Sequence, residues 1–217
     1  MENVHIRRSA KARRLSLRVS RLDGRVTLTL PPAVSERQAR AFLQEKSDWI
    51  ARARASAEAP VNVGMGQTLP ILGEEVSLVQ GNRRSAQREG DLLYVPAKTT
   101  GRAVRIWLTE IARQRVWQQS DVLGKRIGRQ PTKVTLRDTR SRWGSCSENG
   151  GIMLSWRLTL APPDVFDYVI AHEIAHLKEM NHGPTFWQTV EFLMPEYDAP
   201  RRWLRTHGAE LHKYRFD

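Results

Sequence analysis

The segment HEIAHLKEMNH, residues 172–182, places two histidines and one glutamate beside apolar residues and adds a third histidine at its end. In a helix, His172 and His176 lie one turn apart on the same face, and Glu173 points about 100 degrees away from His172. Burying unpaired imidazoles or an unpaired carboxylate costs on the order of several kcal/mol. The segment therefore predicts a divalent metal ion that compensates for this cost.

The ligands of this predicted site indicate the metal and its chemistry. Imidazole nitrogens favour zinc, and three protein ligands leave a fourth position for water, as in catalytic zinc sites. Zinc lowers the pKa of such a water to about 7, and a neighbouring carboxylate accepts the released proton. We therefore predict one Zn²⁺ per chain, with His172 and His176 as ligands and Glu173 as the general base.

The third metal ligand has two candidates in the sequence. Asn181 tolerates the left-handed backbone conformation, so a turn there can end the helix and bring His182 back to the metal. Pro184 then begins another helix, on which Glu191 is the alternative ligand. His182 is favoured because a single turn places it, whereas Glu191 requires a particular crossing of two helices.

The helix that carries the motif follows two prolines. Pro162 and Pro163 end the preceding segment, and Asp164 is predicted to cap the helix VFDYVIAHEIAHLKEM. Apolar residues at helical spacing predict a stripe that faces the core. The stripe consists of Phe166, Ile170, Ile174 and Leu177.

Residues 1–100 are predicted to form a sheet-rich region with one helix. The alternation in RLSLRVSRLDGRVTLTLPP, residues 14–32, predicts a basic hairpin. An amphipathic helix over residues 36–55 follows the N-cap Ser35. Strands are predicted in QTLPILGEEVSLVQG and DLLYVPA, and the segment AKTTGR is the predicted seam before the second region.

Residues 101–217 are predicted to form the region that carries the metal. A long helix begins at Arg102, and strands follow in TKVTLRD and GIMLSWRLTLAP. A final helix within residues 197–217 is predicted to pack on the site region, with His207 and His212 on the surface. The predicted fold class is α+β, with a sheet-rich N-terminal region followed by a small region of helices and strands that carries the metal.

The chain is strongly basic, with 35 Lys and Arg residues against 23 Asp and Glu residues, a net charge of +12 and a pI of about 10.6. A positive surface attracts polyanions, so nucleotides and nucleic acid are candidate partners. A generally solvated basic surface is the alternative interpretation.

Cysteine usage and hydropathy indicate the compartment. The single Cys146 excludes an internal disulfide and fits a reducing environment. No apolar run approaches the roughly 20 residues that a membrane span needs, and the N-terminus has no apolar core of a secretion signal. We therefore expect a cytoplasmic protein with no membrane partner.

The segment RSRWGSCSENGGIMLSWRLTLAPPDVFDYVIAHEIAHLKEMNHGPTFW, residues 140–187, resembles the signature of the YgjP-like metallopeptidases. These are small zincins, distantly similar to the SprT and WLM metalloproteases. The resemblance implies a zincin-like catalytic region with an active-site helix and an edge-strand sheet. It also implies His172, His176 and His182 as metal ligands and Glu173 as the general base.

The segment RWGSC, residues 142–146, lies where zincin-like proteins have a strand beside the metal, and its free edge could pair with extended substrate backbone. Arg140 and Arg142 are predicted to contact substrate by stabilising an oxyanion or binding a phosphate, with a solvated strand face as the alternative. Trp143 is either a substrate platform or, as the favoured alternative, a core residue. Ser145 completes the predicted substrate-binding residues.

Other reactive side chains have weaker support. Cys146 has no histidine partner outside the predicted metal ligands, so a nucleophilic role is disfavoured. Tyr197, Tyr214 and His207 are alternative second electrophiles, and the sequence does not choose among them.

The leading hypothesis is a zinc-dependent metallopeptidase that acts on a peptide or protein substrate. The motif specifies metal–water chemistry better than the bond that is broken. A metal-dependent nucleotide phosphoanhydride hydrolase is therefore the first alternative. The second alternative is a basic nucleic-acid-associated protein that carries the site but acts chiefly by binding.

Overall fold

The computed structural model describes residues 4–20, 24–55 and 59–217. The chain divides into two compact units, Met1–Val61 and Asn62–Asp217. Helices and several small sheets occur together, so the predicted α+β class is confirmed. Every helix in the described part of the chain is too short or too polar to cross a bilayer.

The first unit contains a small sheet and two helices. Its elements are β1 (Val4–Arg8), β2 (Ser16–Val19), β3 (Val26–Leu30), α1 (Glu36–Glu45) and α2 (Ser47–Ala55). Strand β3 is central, parallel to β1 and antiparallel to β2. The predicted hairpin is thus confirmed as β2–β3, and Asp23 of its turn lies outside the described residues.

The predicted helix of this unit is capped as expected but is interrupted. The Ser35 hydroxyl accepts the Gln38 N–H at 3.3 Å, and the Gln38 side chain accepts the Ser35 N–H at 3.0 Å. This reciprocal capping confirms the start of α1. The prediction of one continuous helix to residue 55 is wrong, because Lys46 leaves helical geometry between α1 and α2. Both helices still pack side chains on the core around Leu28 and Leu43.

The second unit holds the remaining helices and strands. In chain order they are β4 (Val61–Asn62, at the junction), β5 (Thr68–Ile71), β6 (Glu74–Gln80), β7 (Gln87–Glu89), β8 (Leu92–Val95), α3 (Thr100–Ile127), β9 (Lys133–Arg137), β10 (Gly144–Cys146), β11 (Gly151–Ser155), α4 (Pro163–Ala175), α5 (Pro184–Leu193), α6 (Asp198–His207) and β12 (Tyr214–Arg215).

One sheet of this unit has the strand order β5-β6-β8-β7. Strands β5 and β6 reverse at Leu72 and Gly73, both with positive φ, and the Leu72 N–H donates to the Thr159 carbonyl at 2.8 Å. Alternate residues of the sheet, such as Ile71 and Leu78, join the same core as α3 and α4. The boundary predicted between residues 100 and 101 therefore lies inside this unit.

The long helix predicted from Arg102 is present as α3 and begins two residues earlier, at Thr100. Its residues Val104 and Leu108 are completely buried. The helix ends where Gly128 adopts φ of 66°, a left-handed conformation that glycine tolerates without strain. Helix α3 packs against α4 and forms one wall of the core.

The second sheet has the order β10-β11-β9, so β10 is an edge strand, as predicted. Strand β11 is antiparallel to β10 and parallel to β9. Ile152 and Leu154 of β11 are buried, which fits the predicted alternation. The strand prediction extended too far, because β11 ends at Ser155 and residues Trp156–Leu160 form a 3-10 helix.

A buried arginine links this region to the C-terminal segment. Arg157 donates to both carboxylate oxygens of Asp138, at 2.6 and 3.0 Å, and to the carbonyls of Leu211 and Tyr214, at 3.1 and 3.0 Å. His212 follows Leu211 directly and is only 4% exposed. The prediction of His212 on the surface is therefore wrong, because the arginine holds this turn against the core.

We expect Asp138 to stabilise the fold in a pH-dependent way. Burial alone would raise the pKa of Asp138, but the hydrogen bond and charge of Arg157 bring it below the ordinary value of 3.8. A depressed pKa gives stability that is present above the unfolded-state pKa and is lost as the pH falls through the folded-state pKa. The destabilisation caused by Asp138→Asn should therefore be constant above about pH 5 and shrink below about pH 4.

Urea unfolding of the wild-type protein and of Asp138→Asn between pH 7 and pH 3 measures the difference in their free energies of unfolding. Asp91→Asn is a matched control, because the Asp91 carboxylate makes no ion pair with a described residue. A pH-independent difference for Asp138→Asn would contradict the role assigned to this ion pair.

Candidate active site

Helix α4 positions the first part of the site. Its N-cap is Pro162 and its first residue is Pro163, so the prediction of Asp164 as the cap is wrong. Proline is suited to the first helical position because the N–H that it lacks would have no partner there. Phe166, Ile170 and Ile174 are completely buried and anchor the helix, which confirms the predicted apolar stripe over these residues.

The chain after α4 turns back differently from the prediction. Leu72 is the one non-glycine residue with positive φ in the described ranges, so Asn181 does not adopt the predicted left-handed conformation. Instead, the Asn181 side-chain oxygen accepts the Gly183 N–H at 3.0 Å. A side-chain hydrogen bond of this kind makes the turn without positive φ. Helix α5 then begins at Pro184, as predicted.

The turn brings His182 to the two histidines of α4. One potential ligand atom from each of His172, His176 and His182 lies within 4.8 Å of the others, and the Nε2 atoms of His172 and His182 are 3.1 Å apart. No second group of three such residues occurs in the described part of the chain. Glu191, the alternative ligand, is exposed and does not belong to the group.

The environment of His172 and His176 disfavours their charged forms. Burial, with the charges of the neighbouring histidines, lowers the pKa of His172 to about 3. Burial also lowers the pKa of His176, although its bond to the Glu179 carbonyl acts in the opposite direction. Nδ1 of His176 lies 2.9 Å from that carbonyl oxygen, so it carries the proton and leaves the Nε2 lone pair free.

Two buried polar atoms bear on whether a metal ion fits this site. Nδ1 of His172 and Oε2 of Glu173 are buried with no hydrogen-bond partner among the described residues. Unsatisfied groups of this kind are rare because each loses the free energy of hydration. Imidazole nitrogens beside a carboxylate are suitable donors for a divalent cation. The residues therefore fit the metal that the sequence predicts.

The side chain of Glu173 is enclosed by the edge strand. Burial raises the pKa of Glu173 to about 8, while the positive charge of Arg142 acts in the opposite direction. A methyl group at Gly144 of β10 would lie 2.7 Å from the carboxyl carbon of Glu173. Glycine is therefore the residue that allows β10 to lie directly on this carboxyl group.

An aromatic group around the histidines was missed by the sequence analysis. The Phe186 ring lies 4.4–4.9 Å from all three histidine rings, and Trp187 lies 5.9 Å from His172. Tyr168 lies 5.9 Å from His172 and keeps its proton, since burial raises its pKa to about 12. The sequence did contain a signal for this group, because Tyr168 stands four residues before His172 and Phe186 four residues after His182.

The predicted substrate-binding residues lie on or near β10, and their roles stay predictions. Arg140 and Arg142 are exposed, and the charge of Arg142 acts on Glu173. Trp143 is partly buried, packs against the core and stacks on His212 at 5.0 Å. Ser145 pairs with Met153 of β11.

The three candidate second electrophiles lie in different parts of the second unit, and only one of them is beside the aromatic group. Tyr197 stacks on Trp187 at 5.6 Å, which places it beside the aromatic group. The side chain of His207 contacts Glu210 and Trp203 instead, and Tyr214 lies in β12. Burial, followed by the charge of Glu173, raises the pKa of Cys146 to about 11, which keeps it a thiol and disfavours a nucleophilic role.

Two comparisons with known proteins gave a match. The family described as YgjP-like, metallopeptidase domain, matches residues 13–207. A solved structure, the metallopeptidase zymogen abylysin of Pyrococcus abyssi, is 25% identical and covers 43% of this chain and 92% of its own, with a TM-score of 0.38. No curated protein has a sequence that matches this chain.

We expect Gly144→Ala to destabilise the protein, because the new methyl group must displace the carboxyl group of Glu173 or shift β10. Overpacking of this kind costs about 1–3 kcal/mol. Gly64→Ala is the matched control, since its methyl group would lie 3.9 Å from its nearest described neighbour, the Asn62 carbonyl. Urea unfolding of both variants measures the difference, and equal stability of the two would contradict the close contact.

We expect the histidine group, and not Glu191, to bind the metal. His182→Ala removes a member of the group, so metal affinity should fall by more than the roughly 100-fold that loss of an outer partner can cause. Glu191→Ala should keep wild-type affinity. Metal analysis after dialysis against a competing chelator compares the two variants, and the opposite pattern would assign the third ligand to Glu191.

Proposed function

Because this chain belongs to the YgjP-like metallopeptidase family, we propose that it is a zinc-dependent peptidase with Glu173 as its general base. One observation carries the proposal. Three imidazoles converge beside a buried carboxylate whose Oε2 atom has no hydrogen-bond partner among the described residues. A carboxyl group in this position can exchange a proton with a reacting water.

The choice of zinc rests on the donor set. His172, His176 and His182 would hold the ion, and a site of three imidazoles with no carboxylate ligand favours zinc over magnesium or calcium. When bound, zinc would acidify a water molecule and polarise the carbonyl of the scissile peptide bond. The hydrogen bond from His176 to the Glu179 carbonyl holds its ring in the orientation that exposes Nε2.

Glu173 transfers the proton in the proposed reaction. Its Oε2 atom accepts a proton from the water as the water oxygen attacks the carbonyl carbon. The same carboxyl group then donates this proton to the leaving nitrogen as the C–N bond breaks, which yields a carboxylic acid and an amine. The close approach of Gly144 limits the movement of the carboxyl group toward β10 during both transfers.

Strand β10 is the proposed receptor for the substrate backbone. It pairs with β11 along one edge, and its other edge is unpaired within the described residues. An extended peptide can add to such an edge through backbone hydrogen bonds. Since Gly144 lies against Glu173, a peptide on this edge would have its backbone beside the proposed base.

The proposed reaction class is tested by a substrate screen. Purified protein with bound zinc should release peptide fragments from casein or from short peptides. It should not release phosphate or pyrophosphate from nucleoside triphosphates. Release of phosphate without peptide cleavage would replace the peptidase with the nucleotide hydrolase.

We expect Glu173→Gln to remove activity without removing the metal. The amide has a similar size to the carboxyl group but cannot accept the proton, so hydrolysis should fall by about 100-fold or more. Zinc content and thermal stability should stay near the wild-type values, because Glu173 is not a member of the ligand group. Glu191→Gln on the neighbouring helix is the matched control and should keep full activity.

These measurements distinguish the catalytic role from a structural one. A Glu173→Gln protein that kept zinc, folded normally and hydrolysed peptides at the wild-type rate would exclude Glu173 as the base.

A further inference from the structure

The outer face of the β10-β11-β9 sheet carries a groove of about 560 Å³ that the proposed reaction does not use. Its cationic lining residues are Lys133, Arg137 and Arg142, and we call it the basic groove. Hydroxyl groups, among them those of Ser141 and Ser145, supply further hydrogen-bond donors. All the residues that line the groove are described, and none of them is Asp or Glu.

The strand pattern explains why the charges gather on this face. Side chains alternate along a strand, so Lys133, Thr135 and Arg137 of β9 share the outer face. Val134 and Leu136, between them, pack against the core. Lys133 and Arg137 form no ion pair with any described residue, so their charges remain available to a ligand.

The nearby acidic groups do not neutralise the groove. Asp138 follows Arg137 in the chain, but both of its carboxylate oxygens accept hydrogen bonds from Arg157. Glu148 lies in the exposed turn between β10 and β11 and is not among the lining residues. The groove therefore has an uncompensated positive charge.

The groove is continuous with the candidate active site through β10. Ser145 and Cys146 of this strand line the groove, whereas Gly144 lies against Glu173. Arg142 also lines the groove, and its charge acts on the same carboxyl group. A peptide that pairs with the free edge of β10 would direct every second side chain toward the outer face.

We infer that the basic groove binds acidic side chains of the peptide substrate, at alternate positions of the segment paired with β10. This inference rests on the proposed function, because it assigns a substrate preference to the same site. Arg142 is the cation nearest to the paired segment, and Lys133 and Arg137 on β9 lie three strands from that segment, about 14 Å between backbones, so only long side chains that lean across the sheet bring the charges together. A substrate with several Asp or Glu residues would therefore be cleaved in preference to its amide counterpart.

A peptide fits the groove better than a nucleic acid. Proteins that bind single-stranded nucleic acid combine positive charge with aromatic rings on which the bases stack. None of the residues lining the groove is Trp, Tyr or Phe. The flexible thioether side chain of Met153 and the hydroxyl groups suit an extended polypeptide chain.

The experiment uses two labelled peptides with one scissile sequence, one with Glu and the other with Gln at alternate flanking positions. Binding is measured by fluorescence anisotropy with full-length Glu173→Gln protein, and cleavage is measured with zinc-loaded wild-type protein. The Glu peptide should bind about 10-fold more tightly, which corresponds to a few exposed ion pairs. This preference should decrease as the salt concentration rises.

The double variant Lys133→Glu/Arg137→Glu should reduce the preference several-fold, with the remainder due to Arg142, and leave cleavage of the Gln peptide unchanged. Arg102→Glu/Arg105→Glu is the control, because it changes the net charge equally at exposed positions on α3. Thermal unfolding checks that both double variants are folded. Loss of the preference in the control as well would assign it to the net charge of the protein and overturn the groove assignment.

The remaining outcomes separate the two proposals. If both peptides are cleaved but bound equally, the groove assignment is wrong and the proposed function stands. If neither is cleaved but the Glu peptide binds through Lys133 and Arg137, the proposed function is wrong and the groove is an acidic-peptide site. Tighter, groove-dependent binding of a single-stranded oligonucleotide with the same number of charges would overturn the peptide assignment.

Discussion

The close contact between Gly144 and the carboxyl group of Glu173 is the constraint on which the site depends. It requires the edge strand β10 and the helix α4 to keep a fixed separation. Buried Phe166 and Ile170 hold the helix, while pairing with β11 holds the strand. A side chain at the position of Gly144 would separate the two elements or displace the proposed base.

The C-terminal segment contacts the residue that precedes Gly144 and so supports this contact. Arg157 donates to the carbonyls of Leu211 and Tyr214, which fixes the turn that carries His212. His212 stacks on Trp143, the residue directly before Gly144. Burial, followed by the charge of Arg157, lowers the pKa of His212 to about 4, so this ring packs as a neutral group. The last turn of the chain thus helps to position the strand on Glu173.

The candidate active site is less favourable for stability than the core around it. Nδ1 of His172 and Oε2 of Glu173 have no hydrogen-bond partner among the described residues, whereas the core beside them is composed of buried apolar side chains. Unsatisfied buried polar atoms are few in native proteins, and two of the four among the described residues belong to this site, the other two being the hydroxyls of Ser120 and Ser155. The proposed role of Glu173 gives its unpaired oxygen a physical reason, because a carboxyl group that exchanges a proton with a reacting water must be free of other hydrogen bonds.

The sequence by itself determined the features that depend on local geometry. The spacing of His172 and His176, the capping by Ser35 and the alternation in β11 follow from the period of a helix or a strand. Only the tertiary structure decided the contact at Gly144, the aromatic group around Phe186 and the burial of His212. These features depend on which surfaces of distant segments meet, and neither periodicity nor turn propensity records that information.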